Sequence, residues 1–114
     1  MSKSGKTIAI NQNSDFRRAY ARGRQFTHPA LVTYINKNRA GTVRIGITAS
    51  KKIGNAVKRN RARRVIRAAY SSLEPYVKNG PCDIVFVARA KTTESKSGDI
   101  ARIMKKHLEL AGRL

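Results

Sequence analysis

Residues 50–67, SKKIGNAVKRNRARRVIR, constrain this chain more than any other stretch. They read as a strand end, a Gly54-Asn55 break and a helix in immediate succession. Asn55 is a natural N-cap, because its side-chain oxygen can accept from an orphan amide of the first turn. The helix places Ala62, Val65, Ile66, Ala69 and Leu73 in one apolar stripe, so it must lie on a core. The segment is otherwise basic, with Lys51, Lys52, Lys58, Arg59, Arg61, Arg63, Arg64 and Arg67 and no acid. Asn60, Arg64 and Arg67 lie opposite the stripe, while Arg59 and Arg63 share a flank with Tyr70. No carboxylate stands four residues away to pair with these arginines, and surfaces made basic only for solubility intersperse both signs. Guanidinium groups give bidentate contacts to phosphate oxygens and stack on bases. Asn60 adds a donor and acceptor for a base edge or a 2′-hydroxyl. Repulsion stored on this scale points to a polyanionic partner, nucleic acid above all.

The whole chain carries the same bias. Its 114 residues fit a single domain with one core. Lys and Arg number 25 against 6 acids, a formal charge of +19, which implies strong and salt-sensitive attraction to phosphate backbones. Between Phe16 and Leu73 there is no acid at all and 15 of the basic residues occur there, so that span should build the partner surface. No long apolar run offers a membrane span and no apolar N-terminal segment reads as a signal peptide. With one cysteine, Cys82, there is no internal disulfide framework, and a reducing cytoplasm is the expected compartment.

In chain order, residues 1–7 read as a flexible basic tail. Ser14 is the expected cap of a first helix, with Asp15 in the field of its positive end. Phe16, Ala19 and Tyr20 fall on one face, and Gly23 is the expected stop. Leu31–Ile35 is β-branched and aromatic, hence a strand. Asn36–Gly41 is turn material, and Thr42–Ser50 alternates with period two, so these two strands are expected to form an antiparallel hairpin. A further short strand fits near Gly23–Phe26. Pro75 closes the basic helix, and Asn79-Gly80-Pro81 is a turn. Asp83–Ala88 is apolar throughout and reads as a central strand buried on both faces. After a polar loop over Arg89–Gly98, Ser97 is the expected cap of a last helix with Ile100, Ile103, Met104, His107, Leu108 and Ala111 in its stripe, closed by Gly112. The order α-β-β-(β)-α-β-α predicts a two-layer α/β sandwich.

The residues of the basic segment, Lys51-Lys52-x-Gly54-Asn55-Ala56-Val57-x-Arg59-Asn60-Arg61-x-Arg63-Arg64-x-x-Arg67, resemble the signature of the bacterial ribonuclease P protein component. The resemblance extends to Asp15-Phe16-x-x-x-Tyr20-x-x-Gly23, to Val43-Arg44-Ile45-Gly46-Ile47 and to Asp83-Ile84-Val85 through Ala88-Arg89. It implies a subunit that assembles with a catalytic RNA and supports removal of the 5′ leader from precursor tRNA, the RNA performing the hydrolysis. It also implies a left-handed βαβ crossover, as in one ribosomal protein domain, where pattern alone favours the right-handed form. Lys51, Lys52, Asn55, Lys58, Arg59, Asn60, Arg61 and Arg64 are then the residues expected on the catalytic RNA. Phe16, Tyr20, Tyr34, Thr48, Ser50, Arg63 and Arg67 are those expected on the leader, whose exposed bases suit aromatic stacking beside cations. Tyr20 stands where that family often has Phe. Core packing is the competing role for these aromatics, and a ribosomal or chaperone-type RNA-binding protein is the alternative reading.

No residues are expected to form a protein-borne catalytic or metal centre. The acids are few and scattered, whereas a nuclease site gathers acidic metal ligands. Mg²⁺ is expected in the holoenzyme, mainly at the RNA, with no firmly bound cofactor and no small-molecule substrate. Glu94 and Asp99 suit capping or solvent roles. His107 and Cys82 are read as packed residues.

Overall fold

The computed structural model describes residues 7–78 and 80–114. The tail expected over residues 1–7 therefore lies outside the described residues except for Thr7, as does Asn79 of the expected turn. The described elements are β1 (Ile8–Ala9), α1 (Asn13–Arg22), β2 (Arg24–His28), β3 (Leu31–Lys37), β4 (Val43–Thr48), α2 (Ala56–Leu73), β5 (Cys82–Ala88) and α3 (Ser97–Leu110). Three short 3₁₀ turns cover Lys51–Ile53, Glu74–Tyr76 and Ala90–Glu94.

The strands form one mixed sheet in the order β1-β4-β5-β3-β2. The central strand is β5, parallel to β4 and antiparallel to β3. Its composition explains the placement. Ile84 and Phe86 are fully buried in the main core and Val85 in a smaller cluster on the opposite face. This corrects the expected hairpin of β3 with β4, since β5 stands between them. The polar 38–42 turn is short enough for a hairpin, but neither strand buries both faces as β5 does, so β5 takes the middle. The hairpin that does form joins β2 to β3, with His28 opposite Leu31.

Helices α2 and α3 pack on one face of the sheet over the main core, and α1 crosses the other. The α2 stripe is buried at Ala62, Val65, Ile66 and Ala69, with Leu73 half-buried. Asn55 caps this helix, its Oδ1 accepting from the Lys58 N–H at 3.0 Å. Truncating Ile66, fully buried, to Ala would cost about 2–5 kcal/mol. Tyr70 departs from the expected basic flank and joins the core, its ring 5.9 Å from Phe86. Its hydroxyl lies 3.1 Å from that of Thr7, which keeps the buried polar atom satisfied.

Two expected caps are corrected. Helix α1 begins one residue before Ser14, with the Asp15 and Phe16 N–H groups bonded to the Gln12 carbonyl. Helix α3 begins at Ser97 itself, and the Asp99 carboxylate accepts from the Lys96 N–H at 3.4 Å. Gly23 does end α1, but in an extended conformation. Glycine is needed there because a Cβ would meet the Ala19 carbonyl oxygen at 2.5 Å.

Candidate nucleic-acid interface

The basic segment is held in place before any partner arrives. Ser50 caps the 3₁₀ turn at 51–53, its Oγ accepting from the Lys52 N–H at 3.3 Å, and this presents Lys51 and Lys52 to solvent. Arg59 donates from Nη1 to the Gly54 carbonyl at 3.0 Å, Arg61 from Nε to the Thr93 carbonyl at 2.8 Å, and Arg63 from Nη1 to Asn60 Oδ1 at 3.2 Å. Each guanidinium carries five N–H donors, so one internal bond fixes its plane and leaves others for a phosphate. Lys58, Arg64 and Arg67 are exposed. The ion pairs among the described residues lie outside this segment, leaving its positive charge uncompensated.

On the α1 face of the sheet three aromatics gather. Tyr20 and Tyr34 meet edge to face with centroids 5.0 Å apart, and the Tyr20 hydroxyl donates to Thr48 Oγ1 at 3.3 Å. Tyr20 is 41% exposed, so an aromatic edge is open to solvent beside polar groups. Phe16, half-buried, lies over Gly46 so closely that a Cβ there would fall 2.5 Å from its Cε1. Phe16 also lines a cavity of about 400 Å³ shared with Arg63, Arg67, Tyr70 and the Thr7–Ile10 segment.

The structure thus joins Phe16 to Arg63 and Arg67, and Tyr20 to Tyr34 and Thr48. Ser50 is turned to capping duty at the neighbouring 3₁₀ turn. Gly46 and the β1 segment were not among the expected site residues. Gly46 carried a legible signal, since glycine within a β-branched strand marks close approach of another group.

A charge lock holds α1 to the sheet. Arg44 makes a bidentate pair with Asp83, both contacts at 2.8 Å, and reaches Asp15 at 3.3 Å. Asp83 is only 2% exposed and also accepts from Asn38 Nδ2 at 2.7 Å. Hydrogen bonding to Asp83 raises the Arg44 pKa further above its ordinary value. Asp15 is therefore more than a helix-end charge. It ties α1, and with it Phe16 and Tyr20, to β4. Burial lowers the pKa of His107, whose Nδ1 lies 2.8 Å from Thr33 Oγ1, and raises that of the buried Cys82 thiol. Among the described residues no group of three or more His, Cys, Asp or Glu is placed to hold a metal ion, and no helix is long and apolar enough to cross a membrane.

Residues 5–112 match the family model of ribonuclease P. The chain belongs to the ribonuclease P protein family. It is 41% identical over 101 residues to the ribonuclease P protein component of Clostridioides difficile, covering 88% of each chain. It is 38% identical over 108 residues to that of Clostridium botulinum strain Loch Maree, covering 94% of this chain and 96% of the relative. The ribonuclease P protein of Staphylococcus aureus superposes with a TM-score of 0.78 at 31% identity, over 93% of this chain and 96% of that one. The Thermotoga maritima ribonuclease P protein shares the fold with a TM-score of 0.75 at 23% identity, over 88% and 94%. Membership makes this chain a protein component of a tRNA-processing ribonuclease and implies partnership with an RNA subunit.

Proposed function

We propose that this ribonuclease P protein acts as an adaptor between two RNAs, binding the catalytic RNA subunit and the 5′ leader of precursor tRNA. The observation that carries this reading is the separation of two surfaces around α2. One is the exposed cationic set Lys51, Lys52, Lys58 and Arg64 with the internally braced Arg59 and Arg61. The other is the α1 face of the sheet, where Phe16 shares a hollow with Arg63 and Arg67 and Tyr20 meets Tyr34 beside Thr48.

The chemistry of each surface suits its partner. Folded RNA offers phosphate and 2′-hydroxyl groups, which guanidinium forks and the Asn55 and Asn60 side chains can engage. A single-stranded leader offers base faces, which stack on rings beside cations. Hydrolysis is assigned to the catalytic RNA with its Mg²⁺, and the protein contributes affinity for leader-bearing substrate and screening of repulsion between the RNAs. The purified protein alone should leave precursor tRNA intact, yet restore cleavage by its partner RNA at low Mg²⁺. Failure to restore cleavage with an active partner RNA would count against the proposal, as would metal-dependent cleavage by the protein alone.

A further inference from the structure

The polar loop that follows β5 has one buried residue. In the 3₁₀ turn Ala90–Glu94, Thr92 is fully buried, whereas its four companions are exposed or half-buried. The Thr92 hydroxyl is used twice. Its Oγ1 donates to the Ala30 carbonyl at 2.6 Å and accepts from the Arg89 N–H at 2.9 Å. Ala30 lies in the turn between β2 and β3, so this hydroxyl ties the loop to the sheet across 62 residues of chain. One residue further on, the Thr93 carbonyl accepts from Arg61 Nε on α2 at 2.8 Å. Thr93 Oγ1 donates to the Ala90 carbonyl at 2.7 Å and Ser95 Oγ to the Lys91 carbonyl at 2.8 Å, which fixes the backbone on both sides. A continuous path of bonds therefore runs from the sheet through Thr92 to the arginine.

Packing alone does not account for a hydroxyl at this position. A buried hydroxyl is costly unless it is bonded, and valine would fill the same space. A short 3₁₀ turn has poor hydrogen-bond geometry of its own and needs anchoring from outside. What the anchored turn holds is an arginine that is otherwise exposed. With Nε engaged, the plane of the guanidinium is set and its four Nη hydrogens form a fork directed away from the turn. A long side chain ordered in advance does not lose that freedom when it binds. We propose that Thr92 is a positioning residue for assembly with the catalytic RNA, presetting the Arg61 fork through the Thr93 carbonyl. This rests on the reading above that Arg61 meets that RNA. Thr92 itself touches no RNA; it acts through Arg61, and it does so from a loop outside the basic segment.

The test is equilibrium binding of the full-length chain to the catalytic RNA over a salt series, with folding checked by circular dichroism. Thr92→Val removes the hydroxyl and keeps the volume, and affinity should fall roughly two- to tenfold, the cost of ordering one long side chain on binding. Thr92→Ser should restore it. Arg61→Ala should lower the slope of log affinity against log salt by roughly 0.7–0.9 for one lost phosphate contact. Thr92→Val should leave that slope as in wild type, because the charge still reaches its phosphate. In the Arg61→Ala background Thr92→Val should change affinity little further, as expected when one residue acts through the other. An equal loss from Thr92→Val in both backgrounds would make Thr92 a merely structural residue and overturn the proposal. Wild-type affinity in Thr92→Val, with Arg61→Ala weakened, overturns the positioning role alone. Wild-type affinity and slope in Arg61→Ala remove the contact of Arg61 with the catalytic RNA as well. Should Thr92→Val fail to fold, Arg61→Lys replaces it, keeping the charge without an Nε for Thr93. Its affinity should fall by a similar factor, and wild-type affinity there overturns the presetting.

Discussion

Replacing Gly46 with alanine probes how tightly the cleft is set. The new Cβ would lie 2.5 Å from Phe16 Cε1, 2.8 Å from Cζ and 3.4 Å from Ile10 Cβ. Carbon atoms rest about 3.5–4.0 Å apart, so the Phe16 ring must retreat by roughly 1 Å. Overpacking a core costs about 1–3 kcal/mol, and a half-buried ring can swing outward, which places the stability loss near 1 kcal/mol. Stacking a base on a protein ring is worth about 1–3 kcal/mol, and a displaced ring forfeits about a third to a half of it, roughly a fivefold weaker hold on leader-bearing tRNA. Dissociation constants for precursor and mature tRNA should therefore diverge less in Gly46→Ala holoenzyme than in wild type. Phe16→Ala should remove most of the same discrimination, and adding Gly46→Ala to it should change little more, as expected when one change acts through the other. Equal losses for precursor and mature tRNA, or a full additive loss in the double variant, would refute the link between Gly46, Phe16 and leader.

Other perturbations read out different parts of the fold. Arg44→Met strands the buried Asp83 carboxylate and should cost about 3–5 kcal/mol in urea unfolding; a loss below 1 kcal/mol would show that the lock is dispensable. Burial, with a smaller contribution from His28, holds His107 below its ordinary 6.5. The unfolded chain then takes up that proton first, so the stability contributed is full above about pH 6.5 and is lost as pH falls through the folded value. His107→Asn should flatten this part of the melting-temperature profile between about pH 7 and 5, and an unaltered profile would contradict the assignment. Cys82, buried with a raised thiol pKa, should react with a thiol reagent only as fast as the chain opens. Rapid labelling of the native protein would mean that the start of β5 is far looser than its burial indicates.

What could be read from the sequence was local. The alternation in β4, the doubly apolar β5 and the stripe of α2 follow from short-range patterns, and each lies where its period places it. Long-range choices were hidden. The turn at 38–42 invites a hairpin in isolation, and only the competition of β5 for the space between β3 and β4 decides otherwise. Two residues, Ile8 and Ala9, are too few to show a period, so β1 and its part in the cavity beside Phe16 had no signal. Tyr70 projects toward the basic flank on a helical wheel, yet sheet and N-terminal segment close over it. The pairing of Arg44 with Asp15 and Asp83 joins three distant segments. Charge counts can show that acids are scarce, but not that two of them converge on one arginine.

The position of β5 also has a consequence for biogenesis. A chain emerging from the ribosome makes β3, β4 and the whole arginine helix before β5, and neither strand can find its neighbour in the other. β3 has β2 and β4 has β1 on its outer edge, but the inner edge of each waits for a strand translated roughly forty to fifty residues later. Until it arrives, the nascent protein has two unclaimed strand edges and a cationic helix with no sheet completed beneath it, the state most exposed to mispairing. Cotranslational folding should therefore be withheld until Cys82–Ala88 clears the exit tunnel. RNA met before that moment would find the charges without the geometry that turns them into a binding surface.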